Sequence, residues 1–368
     1  MFKKITILAF LITVIYACSS STENEPEVTD NFDRGVMLTH IADNIIIPSL
    51  QDFDTEMSSL KAAGNVFVTT PNQTNLEALR TSWFTAYKEY QNIEMYNIGK
   101  AEELQYKFYM NIYPLTVADV ETNIANGSYD LDNVNYQDAQ GFPALDYLLY
   151  GIADTDANIL AKFTTDANAE GYKDYVTNVL NQMSSLTTQV LNDWTTSYRD
   201  EFVASTGNTA TSALNKFLND YIEFYEKNIR ANKFGIPAGV FSSTTLPEKV
   251  EAFYRKDISK ELALQALDGF QNLFVGNFKG TSISGKSSFQ QYLQALDRQD
   301  LVTSITNQLS TAETQIQSLN ANFFEQVNTD NTQMTLAYDE LQKLVVFLKV
   351  DMASALNISI IFVDSDGD

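Results

Sequence analysis

The chain has 368 residues, with 24 Lys and Arg against 47 Asp and Glu and a formal net charge of -23. So few basic residues in so acidic a field exclude a nucleic-acid binder, because they cannot neutralise a phosphate backbone. A hydrophobic share of 44% describes a globular body, and a single His and a single Cys exclude chemistries that need paired imidazoles or a thiolate with an imidazole.

Lys3 and Lys4 precede an uncharged apolar run from Ile5 to Ile15. That run is too short to remain as a bilayer-spanning helix and reads as a secretory signal peptide over residues 1–17. Ile15-Tyr16-Ala17-Cys18 resembles a bacterial lipobox. Cys18 is therefore expected to carry lipid and to become the mature N-terminus, so that the protein is held to a membrane without a transmembrane helix. Residues 18–30 are polar and too poor in apolar surface to fold, which suits a tether. The expected location is the cell envelope, as an outer-membrane lipoprotein on the periplasmic or surface face. Serines and acids after Cys18 are compatible with either face.

From Asp33 onward the apolar residues recur with a helical period. Ile46, Leu50, Phe53, Met57 and Leu60 share a face, with Pro48 expected to kink or break the helix. Further stripes run through Tyr172, Val176, Val179, Met183, Leu186 and Val190, and through Leu214, Phe217, Tyr221 and Tyr225 to a polar end at Asn228. Two more comprise Ile305, Leu309, Ala312, Ile316, Leu319 and Phe323, and then Met334, Tyr338, Leu341, Val345, Leu348 and Met352. Only Asn357 to Val363 looks strand-like, and the segments Asn126–Gln140 and Gly276–Ser288 read as loops. The fold class is all-α. A composition shift between Ala153 and Gly171 suggests two helical bundles, residues 31–167 and 168–368.

Candidate chemistry is sparse. His40 is followed one helical turn later by Asp43, which could accept its N–H, but a lone His beside an apolar stripe is ordinarily a packed residue. The H-E-x-x-H pattern of zinc peptidases needs a second His, so no His-based zinc site is expected. The carboxylates and 19 Tyr suit hard cations such as calcium, magnesium or ferric iron better than soft ones. Asp364-Ser365-Asp366-Gly367-Asp368 imitates the start of a calcium loop without its closing acid. Adjacent acids such as Glu102 with Glu103, or Glu248 with Glu251 at helical spacing, need a pocket that separates their pKa values before they count as an acid/base pair.

Several separated segments carry a resemblance. Gly141-Phe142-Pro143-Ala144-Leu145-Asp146-Tyr147-Leu148-Leu149-Tyr150-Gly151 is similar to the signature segment of the imelysin-like family. Leu79-Arg80-Thr81-Ser82-Trp83 with Glu94 and Gly99, Asn111-Ile112-Tyr113-Pro114, Lys233-Phe234-Gly235-Ile236-Pro237-Ala238-Gly239 and Val250-Glu251-Ala252-Phe253-Tyr254 resemble further family segments in the same order. Leu341-Gln342-Lys343 through Lys349-Val350-Asp351-Met352 to Asp366-Gly367-Asp368 resembles its close.

The resemblance implies two four-helix bundles in an envelope protein linked to iron uptake, from a family historically classed with metallopeptidases. The family's G-x-H-x-x-E motif is altered here: Gly141 matches, Pro143 occupies the His position and Asp146 the Glu position. Proline offers no donor atom, so no catalytic residue is carried over. The candidates for a pocket between the bundles are Trp83, Glu94, Gly141, Asp146, Lys233 and Glu251. The first expectation is a lipid-anchored, non-catalytic binding protein associated with iron or haem acquisition, whose partners are the membrane and an envelope protein or a metal or haem ligand. The alternatives are a metal-dependent peptidase or hydrolase with a carboxylate-based site, and an interaction module for another envelope protein.

Overall fold

The structure is a computed structural model that describes residues 30–363. The signal peptide, Cys18 and the terminal acidic run 364–368 lie outside the described residues, as does the tether up to its last residue. Residues Asp33 onward form one compact unit.

The fold is all-α. Helix α1 (Arg34–Ile41) starts at Asp33, whose side chain accepts from the Val36 N–H, and passes through a π turn at Ala42–Ile46 into α2 (Ile47–Thr69). Pro48 therefore does not break the chain's helical course. The wide turn, with the Ile47 N–H bonded five residues back to Ala42, takes up the proline's missing donor at the start of α2. Helix α3 (Gln73–Tyr90) is capped by Asn72, and α4 (Val117–Asn126) and the short α5 (Gly141–Asp146) follow. Helix α6 (Ala169–Asp193) buries Tyr172, Val176, Val179, Met183, Leu186 and Val190, the stripe that predicted it.

Helix α6 packs along α2, and α2 along α3. The boundary expected at residues 167 and 168 thus falls immediately before a helix that groups with the N-terminal helices. The remaining elements are α7 (Ala213–Glu223), which continues as a π-helical segment Phe224–Gly235, then α8 (Ser259–Val275), α9 (Gln299–Gln317) and α10 (Asn331–Val345), which continues as a π-helical segment Val346–Met352. Helix α10 packs on α9 and on the 224–235 segment, and α8 packs on α9. Tyr221 stacks flat on Phe270 in this part of the core, with ring centroids 3.9 Å apart, as Tyr87 does on Phe142 near α5 at 4.4 Å.

Residues 357–363 are not a strand. The Asn219 side chain clamps them instead, its Nδ2 donating to the Ser359 carbonyl at 2.9 Å and its Oδ1 accepting the Ile361 N–H at 2.8 Å. Apolar alternation predicts a strand only where a neighbouring backbone is free to pair, and here a side-chain amide supplies the bonds. The described strands are β1 (Asn277–Phe278) and β2 (Thr281–Ser282), a small hairpin within the segment expected to be a loop.

Candidate functional site

The 224–235 segment, the end of α3 and the turns around residues 111 and 251 meet in a buried polar seam. Lys233, 2% exposed, donates from Nζ to Gln91 Oε1 at 2.8 Å and pairs with Glu251 Oε2. The other Glu251 oxygen accepts from Asn111 Nδ2 at 2.9 Å and Gln91 Nε2 at 3.2 Å. The Tyr87 hydroxyl lies 3.2 Å from the same oxygen and 2.7 Å from Asn111 Oδ1. A buried ion pair is tolerable when its remaining lone pairs are satisfied in this way.

Glu94 lies in the same electrostatic neighbourhood. Its Oε1 accepts from Asn228 Nδ2 at 3.0 Å, whereas its buried Oε2 accepts no hydrogen bond among the described residues. Burial pushes its carboxyl up to about 7; the Lys233 charge and the Asn228 bond pull it down, and Glu251 raises it further. Tyr113, on the turn after Asn111, is held well above the ordinary phenol range by burial and by the charges of Glu251 and Glu94.

Asp146 serves a different purpose. Its two oxygens accept the backbone N–H groups of Tyr254 and Arg255 at 2.8 and 2.9 Å. Those residues lie within a turn in which Ala252 and Lys256 both have positive φ, 54° and 59°. The carboxylate thereby pins a strained turn beside the seam. Burial raises Asp146 to about 7 despite the two amides and the Arg255 charge, which lower it.

A cavity of about 180 Å³ adjoins this turn, walled by Tyr113, Pro143, Asp146, Val250, Phe253 and Tyr254. Pro143, at the altered motif position, is thus part of a cavity wall.

Of the six candidates, the structure brings Glu94, Lys233 and Glu251 together and puts Asp146 in the adjoining wall. Trp83 and Gly141 are supports. The Trp83 indole donates to the Phe142 carbonyl at 3.2 Å, and Gly141 has φ 72° at a point where a Cβ would stand 2.3 Å from the Met110 carbonyl oxygen. Tyr87 and Gln91 carry no motif signal in the sequence. Asn111 and Tyr113 do, since both belong to the N-x-Y-P segment.

The donor set at the altered motif does not fit a metal ion. Pro143 has no ligand atom, the Asp146 oxygens hold amides and Glu251 is tied to Lys233. Among the described residues no group of three or more His, Cys, Asp and Glu is placed to hold one.

His40 is buried, and its expected partner is corrected. Nε2 lies 3.0 Å from the Gly276 carbonyl and Nδ1 3.3 Å from Asn44 Nδ2, whereas Asp43 faces Arg199. Asn44, four residues on, meets the imidazole within the helix, so Asp43 is free to pair across to the helical turn that carries Arg199. No helix among the described residues is long and apolar enough to cross a membrane.

Comparison with known proteins adds to this picture. A family model described as imelysin matches residues 46–347. No curated protein matches the chain. Among solved structures, one described as an iron-regulated protein A precursor from Parabacteroides distasonis superposes with a TM-score of 0.72 at 17% identity, covering 90% of this chain and 97% of that one. An imelysin-like protein from Psychrobacter arcticum gives 0.68 at 18% identity, with the same 90% and 97% coverage.

Proposed function

The chain belongs to the imelysin family, and from that premise we propose that it is a non-catalytic binding protein of the cell envelope, associated with iron acquisition and anchored by lipid at Cys18. The observation that carries the non-catalytic reading is the state of the altered motif. Pro143 replaces the nitrogen ligand, and both Asp146 oxygens hold the backbone of a strained turn. A hydrolase needs an activated water or nucleophile beside an acid/base group, and these residues supply neither.

The adjoining cavity, at about 180 Å³, is smaller than the roughly 300–1,000 Å³ of pockets that take drug-sized ligands. It suits a small ligand and not a macrocycle such as haem. The iron association rests on the family and on the relative from Parabacteroides distasonis, whose description is iron-regulated.

Calorimetric titration of ferric, ferrous, zinc and calcium ions into the intact chain, beside Asp146→Ala, tests the reading. The expected result is no stoichiometric site that depends on Asp146. Stoichiometric metal binding lost in the variant, or metal-dependent proteolysis that survives repurification, overturns it. The iron link predicts a protein level that rises on iron restriction, and a level indifferent to iron removes that link. Cys18→Ser should move the protein out of the membrane fraction, and an unchanged distribution defeats the anchor.

A further inference from the structure

Exposed aliphatic side chains gather on two neighbouring elements. Val346 and Val350, about one turn apart on the continuation of α10, are 52% and 59% exposed. Ile361 and Val363, on the segment clamped by Asn219, are 56% and 75% exposed. Both elements line a cavity of about 610 Å³, through Val345, Val346 and Val350 on one side and Ile358 and Ile360 on the other. Aliphatic side chains left in water singly need no explanation, but a group of them marks an interaction surface.

This surface lies near the point where the chain enters its body. Arg34, in the first turn of α1, donates from Nη1 to the Thr206 carbonyl at 3.2 Å. Asn208, two residues on, donates to the carbonyl of Asn357, where the clamped segment begins, at 3.3 Å. The helical continuation that carries Val346 and Val350 ends at Met352, just before that residue. Cys18 precedes Asp33 by 15 residues, a length that spans at most about 50 Å when fully extended. A lipid on Cys18 therefore keeps a bilayer within reach of this end of the body. Val66, another exposed valine, lies near the far end of α2, about 30 Å along the helix from its start.

We propose that this surface rests on a phospholipid bilayer, with Val346, Val350, Ile361 and Val363 entering the zone between the head groups and the acyl chains. The proposal builds on the anchor at Cys18 proposed above. Four aliphatic side chains offer too little apolar area to hold a protein on a membrane alone. A lipid tether raises the local concentration of the surface, and a weak contact is then populated. Charge selects the kind of lipid. The two lysines beside Phe362, Lys227 and Lys349, each face a glutamate, Glu223 and Glu226, so these four charges balance. The acids of 364–368 follow Val363 directly, and the whole chain carries -23. Anionic head groups repel that charge, whereas zwitterionic ones do not.

Tryptophan reporters read this contact, because the native Trp83 and Trp194 are fully buried. The mature chain from Cys18 is coupled through its only thiol to a maleimide lipid in phosphatidylcholine vesicles brominated in the upper acyl chain. The side chains introduced by Val350→Trp and by Ile361→Trp should each lose at least about half of their emission, and that of Val66→Trp less than about a tenth. Val350→Asp should restore the emission of Ile361→Trp while the far-ultraviolet circular dichroism stays unchanged. Quenching that is absent at Val350→Trp, or equal there and at Val66→Trp, overturns the proposal. So does a dimer of the uncoupled chain, seen by sedimentation velocity, that Val350→Asp abolishes, since the surface then belongs to a second copy. The coupling supplies the lipid, so these outcomes stand apart from lipidation in the cell, which the membrane fractionation of Cys18→Ser tests separately.

Discussion

Arg230 and Lys233 sit on one π-helical segment, both buried and both paired with a glutamate, yet they are held in opposite ways. The partners of Lys233 come from distant parts of the chain, Gln91 and Glu251, and Asn111 and Tyr87 complete the shell of that glutamate. Arg230 bonds to Glu226 one turn away on its own segment, and to Tyr338 and Gln342 on α10. The first cluster closes a seam among segments that converge only in the fold. In the second, Glu226 Oε2 accepts no hydrogen bond among the described residues and has the Lys349 ammonium 3.6 Å away. One helical segment thus carries one glutamate partner whose two oxygens are both hydrogen-bonded and one with an oxygen that accepts no hydrogen bond among the described residues.

The largest expected effect tests the closed network. Lys233→Met leaves Glu251 as a buried charge without its cation and should cost about 3–5 kcal/mol of folding stability, measured by urea unfolding. Lys233→Met together with Glu251→Gln should recover part of that loss, because no bare charge remains. A double variant as unstable as the single one would mean that packing, and not charge, dominates the seam.

Next comes a pH effect at Glu94. Its carboxyl is raised from 4.5 to about 7, so between those values the folded chain holds a proton that the unfolded chain releases. The associated stability is full below about pH 4.5 and is lost as pH rises through 7, amounting at pH 8 to about 3 kcal/mol. Glu94→Gln should be more stable than the parent at pH 8, and this advantage should shrink towards pH 5. Asp146 contributes a slope of the same sign in both proteins and drops out of the difference. A difference that does not change with pH would separate Glu94 from the seam's electrostatics.

Arg230→Met sharpens the comparison from the other side. It removes the cation from Glu226 but leaves Lys349 3.6 Å away, so its cost should be smaller, about 2 kcal/mol by urea unfolding. A loss as large as that for Lys233→Met would show that Glu226 depends on its neighbouring cation as fully as Glu251 does.

Much of the fold was legible before its geometry. The stripes that end at Val190 and Met352 lie on buried helical faces, because apolar periodicity reports which side of a helix leaves water. The motif order located Lys233, Glu251, Glu94 and Asp146, and it located Asn111 and Tyr113 without assigning them a part. What no pattern reveals is partner choice. Gln91 bridges Lys233 and Glu251 only because the end of α3 reaches them in space, and no spacing along the chain encodes that meeting. Val345, Leu348 and Met352 likewise read as one core stripe. Leu348 and Met352 are fully buried, and Val345, also buried, lines a cavity together with Ile358 and Ile360 of the segment clamped by Asn219. Pro48 misled for a related reason: the rule that proline breaks a helix assumes a regular ladder, and the π turn at Ala42–Ile46 alters that ladder one step earlier.

The smallest expected effect supplies the outer limit of the comparison. Arg199 and Asp43 form a two-point pair, Nε to Oδ1 at 2.8 Å and Nη2 to Oδ2 at 2.6 Å, with a geometry as good as any ion pair in the protein, but they lie in solvent. Water competes for both groups, and ordering two long side chains opposes the Coulomb gain. Asp43→Ala should therefore cost less than about 1 kcal/mol, and the cost should shrink further in 0.5 M salt. If it matched Arg230→Met, bond geometry would set the strength of these pairs. If it stays small, burial separates Asp43 from the two buried glutamates, and Glu226 and Glu251, which are equally buried, differ in how many protein donors each carboxylate accepts.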